Sequence, residues 1–282
     1  MPHTKPIIPF GDLRDTNVRR SFGGTFKHIY ESFPNDMFTG MWMLFRPTVL
    51  VRDVAMIKNV LVKDFEYFHD RGFHFEKCEE PLLHHLFALN GKKWRNLRVK
   101  LTPTFTSGKM KMMFPLVADC GKLLQEVLNT VADEGGSLEA KDIMGRFTTD
   151  VITSCAFGIN VSSLKEPDSE FNGFTKTFSN RSFRDAITAT LGYILPQAIP
   201  ILGLKFVPQK LNDFFFNCVK GTINHREENN VQRNDFMQLL IELKNKGRID
   251  DPDEPMVDIP EEEIPGFLFI FVHFFDLKLS FL

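Results

Sequence analysis

Tyrosine, tryptophan and cysteine are scarce in this 282-residue chain: 3, 2 and 4 residues, against 30 phenylalanines. Its aromatic bulk is therefore almost all without a polar tip, which suits a dry core or an apolar cavity. Cys78, Cys120, Cys155 and Cys218 stand far apart with no CxxC or other zinc-like spacing. That excludes a metal knuckle and a disulfide framework, and leaves reduced thiols facing the cytosol. Net charge is scarce too: 34 basic against 36 acidic side chains leave -2. A chain so balanced is not built as a whole to hold nucleic acid, so any basic site is local. GxSxG, GxxxxGK[ST] and GxGxxG are all missing, and hydrolase and nucleotide-binding chemistry lose support with them. The start, MPHTKPIIPFGDLRD, has no charged region leading into an apolar one and reads as neither signal peptide nor anchor. The one strongly apolar run, Pro265 to Leu282, falls short of the roughly 20 apolar residues of a spanning helix and carries His273, Asp276 and Lys278.

What is present is a globular composition, 43% hydrophobic and 25% charged, able to bury a sizeable core. The first quarter reads as a small sheet with helices attached. Residues 26–33 have helical spacing, and MWMLFRPTVLVRD offers two β-rich runs broken at Arg46-Pro47 as in a hairpin. Asp53 looks like the N-cap of a helix with Val54, Ile57, Val60 and Leu61 at helical period. From His69 to Leu89 no period survives, which predicts a long irregular loop, the kind of segment that carries function. Helices are then expected at about 91–105, 109–133, 139–157, 168–180, 205–228 and 233–246, separated by GGSL at 135–138 and by Pro196, Pro200 and Pro208. Residues 191–204, LGYILPQAIPILGL, read as a greasy loop or a kinked helix pair and not as a span, and 250–263, DDPDEPMVDIPEEE, as an acidic exposed linker.

One stretch concentrates charge: GKKWRNLRVK at 91–100. On a helix of about 100° per residue, Trp94, Leu97 and Leu101 share a face, and Arg98 stands at its edge, expected half-buried and in want of an anion. Lys92, Lys93, Arg95 and Lys100 spread over the outer circumference. On spacing alone, a core tryptophan with snorkelling cations explains the pattern as well. Because the cations encircle the helix and the remaining chain is not basic, a nucleic-acid partner is not expected. His84-His85 lacks HExxH spacing, and neighbours in sequence point apart, so the pair reads as structural.

These residues also carry a resemblance. HDRGFHFEKCEEPLLHHLFALNGKKWRNLRVKLTPTFTSGKMKMMFP resembles the helix C region of microsomal insect cytochrome P-450 monooxygenases, in particular the xenobiotic-metabolising family 6. FTTDVITSCAFGINVSSLKEPDSEF resembles the helix E region of that family, and MLFRPTVLVRDVAMIKNVLVKDF its first strands and helix B. The likeness covers roughly residues 5 to 264. It implies a mainly α fold with a small β-sheet, the N-terminal part of the cytochrome P-450 fold, around heme b held by a cysteine thiolate. The family's Trp-x-x-x-Arg motif falls on Trp94 and Arg98, which implies that their donors bind a heme propionate. The resemblance further implies NADPH-cytochrome P-450 reductase as partner, with Lys92, Lys93, Arg95 and Lys100 as contacts. The loop over the heme shapes a pocket for lipophilic small molecules; Phe75, Leu83, Leu86 and Phe87 are the expected contacts, with ordinary core packing an equal reading of each. Residues 191–204 match the loop that in membrane-bound members touches the bilayer at the substrate entrance. The implied location is the cytosolic face of the endoplasmic reticulum membrane, or the cytosol for a chain without its anchor.

The chain departs from the family after Ile264. An Ala-Gly-x-x-Thr helix is expected there, and PGFLFIFVHFFDLKLSFL stands instead; the Phe-x-x-Gly-x-x-x-Cys-x-Gly setting of the axial ligand appears nowhere. The expectation is therefore a β-rich part over 1–75, a helical part over 76–264 and a non-family apolar tail over 265–282. Such a chain is expected to be catalytically inactive by itself, either as an incomplete heme-thiolate monooxygenase or as a non-catalytic fragment that binds reductase or membrane, or as a misfolded relic product.

Overall fold

Short polar side chains start the helices where the sequence changes from turn to periodic pattern. Ser21 Oγ accepts the Gly24 N–H at the head of α1 (Phe22–Ser32), and Asp53 Oδ1 accepts that of Met56, 2.7 Å, at the head of α2 (Val54–Lys58). The computed structural model describes residues 1–16, 18–72, 80–173, 188, 191, 201–247 and 259–279, the last helix with side chains as far as Val272. Between α1 and α2 lies an antiparallel hairpin, β1 (Phe38–Met43) and β2 (Arg46–Val51), with Met43 opposite Arg46 and Phe38 opposite Val51. The turn falls at Leu44 and Phe45, with Leu44 at φ 57°, and not at Arg46-Pro47. Pro47 is a strand residue directly opposite Trp42. A proline that needs no ladder N–H can sit at a sheet edge, so it does not break this strand. Residues 2–12 line the other side of β1: Gly40 N donates to Pro2 O at 2.8 Å and Asp12 N to Trp42 O at 2.8 Å.

Beyond the hairpin, α2 loosens into a π turn at Asn59–Lys63 and α3 (Phe65–Phe68) follows. The segment expected to be irregular holds a 3-10 turn at Pro81–Leu83 before α4 (Gly91–Leu101), which tightens into a second 3-10 turn at Thr102–Phe105. Then come α5 (Ser107–Asp133), α6 (Ala140–Ile152) with a π turn at Thr153–Phe157, α7 (Gln209–Asn229), α8 (Phe236–Lys246) and α9 (Ile264–Leu279). The helix expected from 205 starts at 209 because Pro208 fixes its entrance. Of the helix expected at 168–180, residues 170–173 are helical and the rest lies outside the described residues, as do 192–200 and 250–258. The end of the acidic stretch is not the exposed linker expected: Ile259 is buried, and Glu261 holds Lys244 at 2.9 Å beside Glu227 at 3.0 Å.

The core forms along α7, whose Leu211, Phe215, Val219 and Ile223 recur every fourth residue and are fully enclosed. Phe215 meets Phe157 and Phe269 with ring centroids 5.4 and 5.5 Å apart. The apolar run after Ile264 is thus a helix in the core: Ile264, Phe267, Leu268, Phe269 and Val272 are all buried. A helix apolar on every side is stable only when it is surrounded. Among the described residues, no helix is long and apolar enough to cross a membrane.

One charged pair sits inside this packing. Arg226 donates to both oxygens of Asp235, Nη1 to Oδ1 at 2.9 Å and Nη2 to Oδ2 at 2.6 Å, and Nη2 also reaches Gly158 O at 3.3 Å. Asp235 at the same time caps α8 by accepting Gln238 N at 2.9 Å. Bidentate geometry and a filled acceptor set are the conditions under which such a pair survives burial. Asp235→Ala would strand the Arg226 charge. It is expected to lower unfolding stability by about 3–5 kcal/mol, read as a fall in urea midpoint, while exposed Glu228→Ala stays within about 0.5 kcal/mol.

Candidate functional site

Helix α4 has the two faces that its sequence suggests. Trp94, Leu97 and Leu101 are buried; Lys92, Lys93 and Arg95 are exposed. Lys100 is half-buried. Asn90 supplies no side-chain cap, and Asp70 does so from the preceding loop, Oδ1 accepting Gly91 N at 2.8 Å. The neighbouring His69 Nε2 stands 3.2 Å from the same oxygen. The rings of Phe65 and His69 lie 5.9 Å from that of Trp94, so α3 and the residues after it wall in the indole.

The enclosure leaves a polar atom unpaired. Trp94 Nε1 is buried and has no hydrogen-bond partner among the described residues. A buried donor without an acceptor costs roughly 1–3 kcal/mol, so its retention points to an acceptor that completes it. Arg98 is exposed, not half-buried as expected. Four residues on from Trp94 it is rotated about 40° around the helix, past the edge that α3 covers. Its guanidinium lies 5.7 Å from the indole centroid, and its side chain makes no ion pair or hydrogen bond among the described residues. An unpaired N–H and a free guanidinium fork on adjacent turns suit one carboxylate, which the fork can take bidentately.

The expected pocket contacts do not form one group. Phe75 lies outside the described residues. Leu83 is in the core, and Phe87 sits under the Arg71 guanidinium at 5.2 Å. Leu86 lines an apolar cavity of about 260 Å³ with Leu101, Phe105, Phe236 and Phe267. His85 is buried with its ring 6.4 Å from that of Phe269. Among the described residues no group of His, Cys, Asp and Glu could hold a metal ion. Cys120, Cys155 and Cys218 are free thiols on α5, the π turn after α6, and α7. Burial pushes Cys155 up to about 11 and Cys218 up to about 12, and raises Cys120 with help from the Asp150 and Asp119 carboxylates. All three thiols are thus shifted away from the thiolate form by their surroundings in the protein.

The family model described as Cytochrome P450 matches residues 2–264. The chain belongs to the cytochrome P450 family. It is 37% identical to Cytochrome P450 6a2 of Drosophila melanogaster over 278 residues, 96% of this chain and 55% of the relative. It is 42% identical to Cytochrome P450 6k1 of Blattella germanica over 253 residues, 88% of this chain and 47% of the relative. Cytochrome P450 6A1 of Musca domestica is 35% identical over 246 residues, 87% of this chain and 48% of the relative. The chain thus spans about half the length of the curated relatives it matches. Its mainly helical architecture with a two-stranded antiparallel sheet agrees with a partial P450 fold.

Set against the heme of this family, the described residues fit on one side. Trp94 Nε1 and Arg98 suit the cofactor's carboxylate edge; none of the three described cysteines stands in the Phe-x-x-Gly-x-x-x-Cys-x-Gly setting of its iron ligand. Phe65 and His69, which pack on the Trp94 ring, and Asp70, which caps α4 at Gly91, carry no signal in the sequence because those contacts form only through the fold.

Two outcomes test this arrangement. Trp94→Phe keeps the ring contacts and removes a donor without a partner, so stability should change by less than about 1 kcal/mol, whereas Trp94→Ala should cost about 3–5 kcal/mol in urea unfolding. The raised thiols also give a pH signature. Above about pH 9 the unfolded chain loses thiol protons that the folded chain keeps. Stability should therefore be full below that pH and fall as the pH rises toward the folded values of about 11 and 12. Replacing Cys155 and Cys218 by alanine should flatten that decline.

Proposed function

We propose that this chain supplies the N-terminal part of a heme-thiolate monooxygenase of the insect family 6 type, which oxidises small lipophilic compounds with NADPH and O2. The observation that carries the reading is the unpaired, buried Trp94 Nε1 beside the unpaired guanidinium of Arg98. In this role both donate to a propionate of heme b and orient it, each charge-assisted bond contributing about 1.5–3 kcal/mol. The bound cofactor, ligated by a thiolate, supplies oxygen activation. Leu83, Leu86 and Phe87, with Phe75, belong to the wall that faces substrate, and residues 191–204 to a peripheral membrane contact at the endoplasmic reticulum.

Lys92, Lys93 and Arg95 are exposed around the outer circumference of α4, and Lys100 is partly so. An acidic NADPH-cytochrome P-450 reductase is the partner for this face. Such charges raise the encounter rate and set orientation more than affinity. That the Phe-x-x-Gly-x-x-x-Cys-x-Gly setting of the axial ligand does not occur in these 282 residues supports the further reading that the chain by itself is catalytically inactive. The exposed cations do not depend on iron ligation, so a non-catalytic fragment that still binds reductase is the second reading.

Purified chain supplied with heme, reduced with dithionite and exposed to carbon monoxide, should show no thiolate-heme difference band; its appearance would overturn the inactivity. Reductase should be captured by the chain in low salt, and capture should fall about tenfold in the Lys92→Glu, Lys93→Glu double variant and in high salt. Capture that ignores both changes would remove the assigned partner face.

A further inference from the structure

Helix α7 begins without a cap of its own. Pro208 offers no side-chain acceptor, and no acidic residue stands in the first turn, although a helix start leaves N–H groups unpaired and favours negative charge. The two N–H groups just upstream, of Phe206 and Val207, donate to the two carboxylate oxygens of Glu80 at 3.0 and 2.8 Å. One oxygen serves each N–H, and the Glu80 side chain makes no ion pair among the described residues. The nearby Lys205 ammonium is engaged by Gln209 Oε1 at 2.6 Å. Among the described residues the half-buried Glu80 carboxylate is thus held by backbone N–H groups more than a hundred residues further along the chain.

The same residue anchors a second element. Glu80 O accepts Leu83 N at 2.9 Å and closes the 3-10 turn Pro81–Leu83, whose Leu82 and Leu83 are buried. Its backbone therefore holds the turn while its side chain holds the entrance of α7, where Val207 and Leu211 are buried. We infer that Glu80 is a positioning residue: its carboxylate fixes the start of α7 against the Pro81–Leu83 turn and so sets the place of Leu83. The role of Leu83 as a pocket wall rests on the function proposed above; the hydrogen bonds of Glu80 do not.

Site-resolved amide hydrogen exchange on the whole chain tests this without cofactor, substrate or reductase, so failure of the monooxygenase reading leaves the test intact. In Glu80→Ala, the amides of Phe206 and Val207 should exchange about tenfold to a hundredfold faster, while those of Val219 and Ile223 keep their rates. Glu80→Gln retains one acceptor oxygen and should give an intermediate rate at the same two amides. Unchanged rates at Phe206 and Val207 in Glu80→Ala would overturn the inference. If the alanine variant loosens Val219 and Ile223 as well, the glutamine variant decides: acceleration confined to Phe206 and Val207 upholds it. Wild-type rates at both amides, or acceleration throughout α7, overturns it.

Discussion

Helix α9 can run against the Pro81–Leu83 turn because Gly266 has no side chain: a Cβ there would stand 2.7 Å from the Pro81 carbonyl oxygen. That approach lets Phe267, Leu268 and Phe269 enter the core, where Phe269 meets Phe215 of α7 and the ring of His85. The consequences spread outward. The turn is fixed between α9 on one side and, through Glu80, the entrance of α7 on the other. Leu97 and Leu101 of α4 join the same core, which orients Trp94 toward Phe65 and His69 and leaves the cations of α4 in solvent. The polarity of α4 is therefore a product of packing as much as of its own sequence.

Two buried ionisable side chains in this fold are well partnered: Arg226 meets both oxygens of Asp235, and Asp150 accepts Ser163 N at 2.7 Å and Leu164 N at 3.1 Å. Trp94 Nε1 belongs to a smaller set of buried polar atoms, with Arg52 Nε and Arg146 Nε, that have no hydrogen-bond partner among the described residues. Buried groups that remain unpaired are uncommon enough to require a reason. A carboxylate between Trp94 and Arg98, as proposed above, would provide one and would engage an arginine fork that makes no ion pair among the described residues.

Local chemistry was readable in advance, and tertiary chemistry was not. Asp53 was identifiable as a cap because an N-cap acts on residues two or three places on, and Trp94 as buried because Leu97 and Leu101 share its face. The hairpin was legible, but its turn was misplaced: Pro47 looked like a breaker, while Leu44 takes the left-handed backbone that no turn residue advertised. Arg98 was misjudged because wheel position says how far a side chain turns from the core but not where the neighbouring element stops. The π turns at 59–63 and 153–157 have no local signature, and Glu80 finds its partners more than a hundred residues away. The run after Ile264 did carry a usable signal, since hydrophobicity on every face of a helix indicates enclosure.

The central claim is that Trp94 and Arg98 form a carboxylate site for a porphyrin. Iron-free protoporphyrin IX, titrated against its dimethyl ester while the Trp94 indole N–H is followed by NMR, tests it without any axial ligand; Trp94→Phe assigns the signal against that of Trp42. The free acid should shift the indole N–H strongly and bind about tenfold tighter than the ester, and Arg98→Ala should erase the difference. Equal shifts and equal affinities for acid and ester would contradict the account.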